Sequence, residues 1–205
     1  MARRVKQKQL KPIRPVLLCE GQTELFYFKH LATLNGADRR FQFDVRKTWL
    51  PMKITDIERV IKEDASDGDF VCVFDLDITL NDKSQRDAFI RLEKEYAHSC
   101  KVLLCYSMPS IEYWFLLHYE NTNAQLSSKQ VLERLTKHLP FFNKEKQFLE
   151  REQWVAELEK RRKAAEERAH LFAKNKTETE TETETELSYT ELYRVFRDLK
   201  SANEM

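Results

Sequence analysis

Three short apolar runs stand out along an otherwise charged chain: Val16-Leu17-Leu18-Cys19, Phe70-Val71-Cys72-Val73-Phe74, and the stretch Lys101 to Tyr106. Runs this short, without alternation, read as strands buried on both faces, the habit of a parallel sheet flanked by helices. Between them the apolar residues recur at helical spacing. Leu25, Phe26, Phe28, Leu31 and Leu34 follow Thr23 as a cap and stop near Asn35-Gly36. Ile57, Val60 and Ile61 sit behind a Thr55/Glu58 capping box, and Ala88, Phe89, Leu92 and Tyr96 follow Ser84. A further strand is expected where Phe41, Phe43, Val45 and Trp49 alternate with polar residues, half-exposed and towards a sheet edge. The order β-α-β-α-β-α-β from Val16 to Tyr106 implies parallel strands joined by crossovers, hence an α/β fold.

Beyond Tyr106, Ser107-Met108-Pro109-Ser110 is expected to open a helix running to Tyr119, with the proline in its first turn, and Ile78 to Lys83 is expected to be a loop. From Ser127 onward the pattern is helical and amphipathic. Val131, Leu132 and Leu135 mark one helix; Phe148, Val155, Leu158, Ala165 and Phe172 give a sparse seam through a long, solvated one. The five Thr-Glu repeats from Thr177 to Glu186 have no apolar face and read as a mobile low-complexity loop. A last helix, Tyr189 to Leu199, should dock Leu192, Val195, Phe196 and Leu199 on the core. The expected organisation is a basic arm (1–14), a catalytic α/β domain (15–120) and a helical extension (121–205).

Composition changes this picture little. A chain of 205 residues supports one buried core with a helical appendage. The 35 basic and 34 acidic residues nearly cancel, so only local charge can point to a partner. Residues 1–14 carry Arg3, Arg4, Lys6, Lys8, Lys11 and Arg14 and no acid; this arm reads either as a phosphate-contacting segment for nucleic acid or as a solvated leader. No run approaches the roughly 20 apolar residues of a membrane helix, and the expected compartment is the cytoplasm. Cys19, Cys72 and Cys105 fall inside strands without metal-ligand spacing and are expected to be reduced core thiols.

The candidate chemistry lies where two strands end. The first delivers Glu20-Gly21 and the second runs into Asp75-Leu76-Asp77. Ligands of open α/β sheets bind at the carboxyl ends of strands. If these two strands are neighbours, three carboxylates converge there, and hard oxygen donors so close together suit Mg²⁺ or Mn²⁺. Glu112 starts a helix at the same rim, where the helix dipole alone would also favour an acid.

The Cys-Glu-Gly strand end, the Thr23-Glu24 with Tyr27 and Phe28 behind it, the Val-Phe-Asp-x-Asp strand end and the segment Ser107 to His118 together resemble the RloB-like (AbiLii-like) branch of the Toprim superfamily. The resemblance implies a Toprim-like Rossmannoid domain with a central, largely parallel four-stranded sheet. It also implies Mg²⁺-dependent cleavage of nucleic-acid phosphodiesters, in bacterial anti-phage defence beside an ATPase encoded nearby. Glu20 would then be a general acid/base or a metal ligand, and Asp75 with Asp77 the metal pair. Glu24, Glu112 and His118 match family positions of less defined role.

Two rival readings remain at this stage. Phe74-Asp75-Leu76-Asp77-Ile78-Thr79 looks like the DxDxT motif of haloacid dehalogenase-like phosphatases, with Asp75 as nucleophile and Ser107 as the second motif, but no later pair of aspartates completes that site and Glu20 is left idle. The other is a Toprim-like module that binds nucleic acid or a partner without cutting. No base-reading module is present to choose between DNA and RNA.

Overall fold

The computed structural model describes residues 15–36, 43, 52–64, 69–99, 101–178 and 187–201. Strands β1 (Val16–Cys19), β2 (Phe70–Asp75) and β3 (Val102–Met108) lie side by side and parallel, with Cys19 level with Val73 and Asp75 level with Ser107. A two-residue strand, β4 (Tyr189–Thr190), pairs antiparallel with the end of β3, giving the order β1-β2-β3-β4. The fold is thus α/β, an open, mostly parallel sheet with flanking helices and a helical C-terminal part. The alternating segment expected as an edge strand, 41–49, lies outside the described residues except for Phe43, which is buried against the ring of Phe28. So do the arm 1–14 and, beyond Glu178, the Thr-Glu tract.

Helices α1 (Gln22–Leu34) and α2 (Ile54–Asp64) connect β1 to β2. Between β2 and β3 run α3 (Leu76–Asn81) and α4 (Lys83–Tyr96). The stretch expected as a loop after the two aspartates is therefore mostly helix, held by the Thr79 hydroxyl donating to the Asp75 carbonyl at 2.8 Å. Helix starts also differ locally from the expectation. Gly21 rather than Thr23 caps α1, and Asp82 caps α4 by accepting the Ser84 and Gln85 N–H groups. Glu58 is not part of a capping box: both its oxygens take the Arg91 guanidinium from α4, at 2.8 and 2.7 Å. Asp56 accepts the Lys53 N–H instead.

Both faces of the sheet are covered, which is why the strands show no alternation. Leu18, Phe70, Cys72, Phe74, Leu104 and Tyr106 face α2 and α4. Leu17, Cys19, Val71, Val73, Leu103 and Cys105 face the opposite cluster, where α5 (Ile111–Leu117) is buried along its whole length. The three strand cysteines are buried free thiols.

The C-terminal half joins this second cluster. In place of one long solvated helix, three helices follow α6 (Ser128–His138): α7 (Lys146–Leu149), α8 (Gln153–Glu159) and α9 (Arg162–Glu178). Leu149, Trp154, Val155, Leu158, Ala165 and Ala169 are all buried in it. The seam is broken because the Trp154 ring packs edge-on against Phe115 of α5, 5.3 Å between centroids, so α8 must turn its face inward. Last comes α10 (Tyr193–Ser201), which docks Leu192, Val195 and Phe196 as expected; the side chain of Leu199 is outside the described set. Phe196 stacks on Trp114, whose indole N–H donates to the Tyr27 hydroxyl at 2.9 Å. Truncating such a buried tryptophan costs about 3–5 kcal/mol, so this contact anchors α1, α5 and α10 to one another.

Candidate active site at the carboxyl ends of the parallel strands

Pairing β1 with β2 puts Glu20 and Asp75 at the same rim. One oxygen of the Glu20 carboxylate accepts the Asp75 backbone N–H at 2.8 Å, and the Glu20 N–H donates to the Val73 carbonyl at 3.1 Å. Glu20 is therefore a continuation of the strand ladder whose side chain bends across to the next strand. Asp75 in turn has Oδ1 fixed by the N–H of Ile111, the first residue of α5, at 2.8 Å. Asp77, in the first turn of α3, is less buried, and its Oδ2 accepts the Ser128 hydroxyl at 2.5 Å. It lies close enough to Glu20 to oppose that group's ionisation.

Two more acids complete the cluster. Glu24 folds back over Gly21 so closely that a Cβ on that glycine would stand 2.7 Å from Glu24 Oε2. Glu24 is 4 % exposed, and its Oε2 is buried without a hydrogen-bond partner. Glu112 is 1 % exposed; its Oε2 accepts the Ser110 hydroxyl at 2.6 Å and its Oε1 makes a charge contact at 2.9 Å with the Lys144 ammonium.

The electrostatics follow from burial. Desolvation, then the negative charges of Glu24, Glu112 and Glu20, push the Asp75 carboxyl well above the usual range. Desolvation also raises Glu20, offset by the Asp75 N–H, and lifts Glu24 to about 7 with help from Glu112 and Glu20. A set of acids that disfavour one another's charge is the environment a small divalent cation relieves. The donor types fit such an ion, and the orphaned Glu24 oxygen marks where a positive charge is wanted. Glu20, Asp75 and Asp77 would hold it, with Glu24 behind them. The shell is not preformed: among the described residues no group of three His, Cys, Asp or Glu side chains is already arranged as a metal site.

A family model described as RloB-like protein matches residues 16–199. The chain belongs to the RloB-like protein family. Comparison with curated proteins and with solved structures gave no match.

The remaining residues singled out in this RloB-like chain are placed as follows. Ser107 is level with Asp75, but its hydroxyl is hydrogen-bonded to Thr190 at 2.8 Å and joins β3 to β4. His118 closes the far end of α5, roughly 9 Å along the axis from Glu112 at 1.5 Å per residue. Its Nδ1–H donates to the Trp114 carbonyl at 2.9 Å and burial drives its pKa down to about 3, so it is a neutral core residue apart from the acids. Arg3, Arg4, Lys6, Lys8, Lys11 and Arg14 lie outside the described residues.

In the DxDxT segment the Asp75 side chain accepts the Ile111 N–H and the Thr79 hydroxyl donates to the Asp75 carbonyl. Sequence reasoning missed Lys144 and Ser128. Neither sits in a motif read for the site; Ser128 stood only in the helical stretch that begins at Ser127, and Lys144 carried no signal at all. Among the described residues no helix is long and apolar enough to cross a membrane.

Proposed function

We propose that this RloB-like protein is a divalent-cation-dependent nuclease of the Toprim type, cleaving phosphodiester bonds of DNA or RNA at the rim formed by Glu20, Asp75 and Asp77. The observation that carries the reading is the buried acid cluster at the carboxyl ends of two adjacent parallel strands, with one carboxylate oriented by the backbone of the other. Phosphodiester cleavage calls for charge neutralisation on the phosphate and an activated nucleophile, and a carboxylate-held Mg²⁺ or Mn²⁺ supplies that when bound. The chain's own groups do the positioning. The Asp75 N–H holds Glu20, the Ile111 N–H holds Asp75, and the Ser128 hydroxyl holds Asp77.

Room for the polymer lies beside Asp77. A cavity of about 730 Å³ opens there between Met108 and Pro109 at the end of β3, the start of α6 and Leu187-Ser188. Its mixed apolar and hydroxyl lining suits a nucleotide better than a bare anion. The family resemblance supports a place in anti-phage defence with an ATPase as partner.

The test is a panel of single- and double-stranded DNA and RNA incubated with Mg²⁺ or Mn²⁺. Cleavage that disappears on chelation and in Glu20→Gln supports the nuclease. Binding without cleavage on every substrate and metal selects a non-cleaving module instead.

A further inference from the structure

Lys144 lies on the connection between α6 and α7, with no motif around it, yet its ammonium reaches the most deeply buried acid of the site. Glu112 is 1 % exposed while the Lys144 side chain is 52 % exposed, so the lysine enters the cluster from solvent and keeps one flank outside. The electrostatic partners of Lys144 are, in order, Glu112, Asp75 and Glu24. Its charge thus serves Glu112 and Glu24, the inner half of the cluster on the α5 and α1 side, and reaches Asp75 at the end of β2, which borders both halves. Asp77, whose charge acts on Glu20, belongs to the outer half, on the β1 and α3 side.

An acid cluster of this size could be neutralised by two divalent ions or by one ion and a fixed positive group. Resting on the proposed nuclease reading, we propose that Lys144 occupies the inner cation position with its own ammonium, so that the site takes one divalent cation, held by Glu20, Asp75 and Asp77, and not two. A tethered ammonium needs no dehydration of a free Mg²⁺, an ion that gives up its water reluctantly. Glu112, the most enclosed acid, has the Ser110 hydroxyl on Oε2 and the Lys144 ammonium 2.9 Å from Oε1, a charge contact and not a hydrogen bond, while Glu24 Oε2 has neither kind of partner.

The experiment is a Mn²⁺ titration of the full chain without nucleic acid, with free ion read by its paramagnetic resonance signal. One bound ion per wild-type chain is expected. Lys144→Met, which keeps the length and loses the charge, should take up a second ion, and Lys144→Arg should stay at one. Lys144→Gln serves if the methionine variant does not fold, with the same second ion expected. Two ions on the wild type, or an unchanged count in the neutral variants, overturns the proposal and leaves the nuclease reading standing. No bound ion on the wild type overturns both.

Discussion

The Glu20 carboxylate accepts the backbone N–H of Asp75 at 2.8 Å although the two residues are 55 positions apart in the chain. The proposed site depends on that closure, which is made when β1 and β2 pair in the observed register. A shift of β1 by one residue would carry Glu20 to the other face of the sheet.

Gly21 is the first place to test this packing. An alanine there would put its Cβ 2.7 Å from Glu24 Oε2 and push the carboxylate aside. Because that oxygen is the end of a flexible side chain, Gly21→Ala should lower stability by no more than about 1 kcal/mol at a helix cap. Mn²⁺ affinity should nevertheless fall, measured by the same titration; unchanged affinity would place Glu24 outside the cation's reach.

The Glu58–Arg91 pair ties α2 to α4 and gives a pH signature. The Arg91 hydrogen bonds, then those of Lys62, hold the Glu58 carboxyl down at about 2 from its ordinary 4.5, against desolvation. A depressed carboxylate stabilises the fold above its ordinary pKa, and that stabilisation is lost as pH falls through the folded value. Wild type should therefore exceed Glu58→Gln in urea midpoint at neutral pH, with the gap closing between pH 4.5 and about 2. The pair is partly solvated, so the gap is small. A gap that stays constant across that window would show that the pair is not its cause.

His118 titrates in a different window. Its folded pKa lies near 3, below the ordinary 6.5, because burial excludes the charged ring. Below 6.5 the unfolded chain takes up a proton that the folded chain refuses, so stability drops as pH falls. His118→Leu should remove that slope while leaving metal binding intact. A loss of Mn²⁺ binding in this variant would instead return His118 to the site.

Much of this arrangement was legible in the sequence, for a physical reason. Val16 to Cys19 and Phe70 to Phe74 are apolar without alternation because both faces of the sheet are covered, and the acids that follow them stand out against that background. What could not be read was decided by tertiary contacts. The strand Tyr189–Thr190 is two residues long and exists because β3 offers an edge and Ser107 offers a hydroxyl. The breaks around Glu150-Arg151-Glu152 and Lys160-Arg161 contain neither glycine nor proline, so nothing local announces that α7, α8 and α9 are separate. Lys144 is one of 35 basic residues, and only the fold of the α6–α7 connection sets it against Glu112.

The short β4 contact has its own consequence. Thr190 meets the fully buried Ser107 hydroxyl and also accepts the Leu192 N–H at 3.2 Å. Thr190→Val leaves both groups unpaired and should cost about 1–3 kcal/mol in chemical denaturation. A neutral outcome would mean that β4 contributes nothing to holding the C-terminal helix.

The most direct measurement is the cleavage rate of nucleic acid in Mg²⁺ or Mn²⁺ for wild type beside Glu20→Gln and Asp75→Asn, each checked for an unchanged melting transition. The amide of Glu20→Gln still accepts the Asp75 N–H, so the fold survives while the charge is gone. The account predicts cleavage by the wild type, its arrest by EDTA, and a loss of at least about 100-fold in each variant. Equal rates in the folded variants, or cleavage that persists in EDTA, would contradict it.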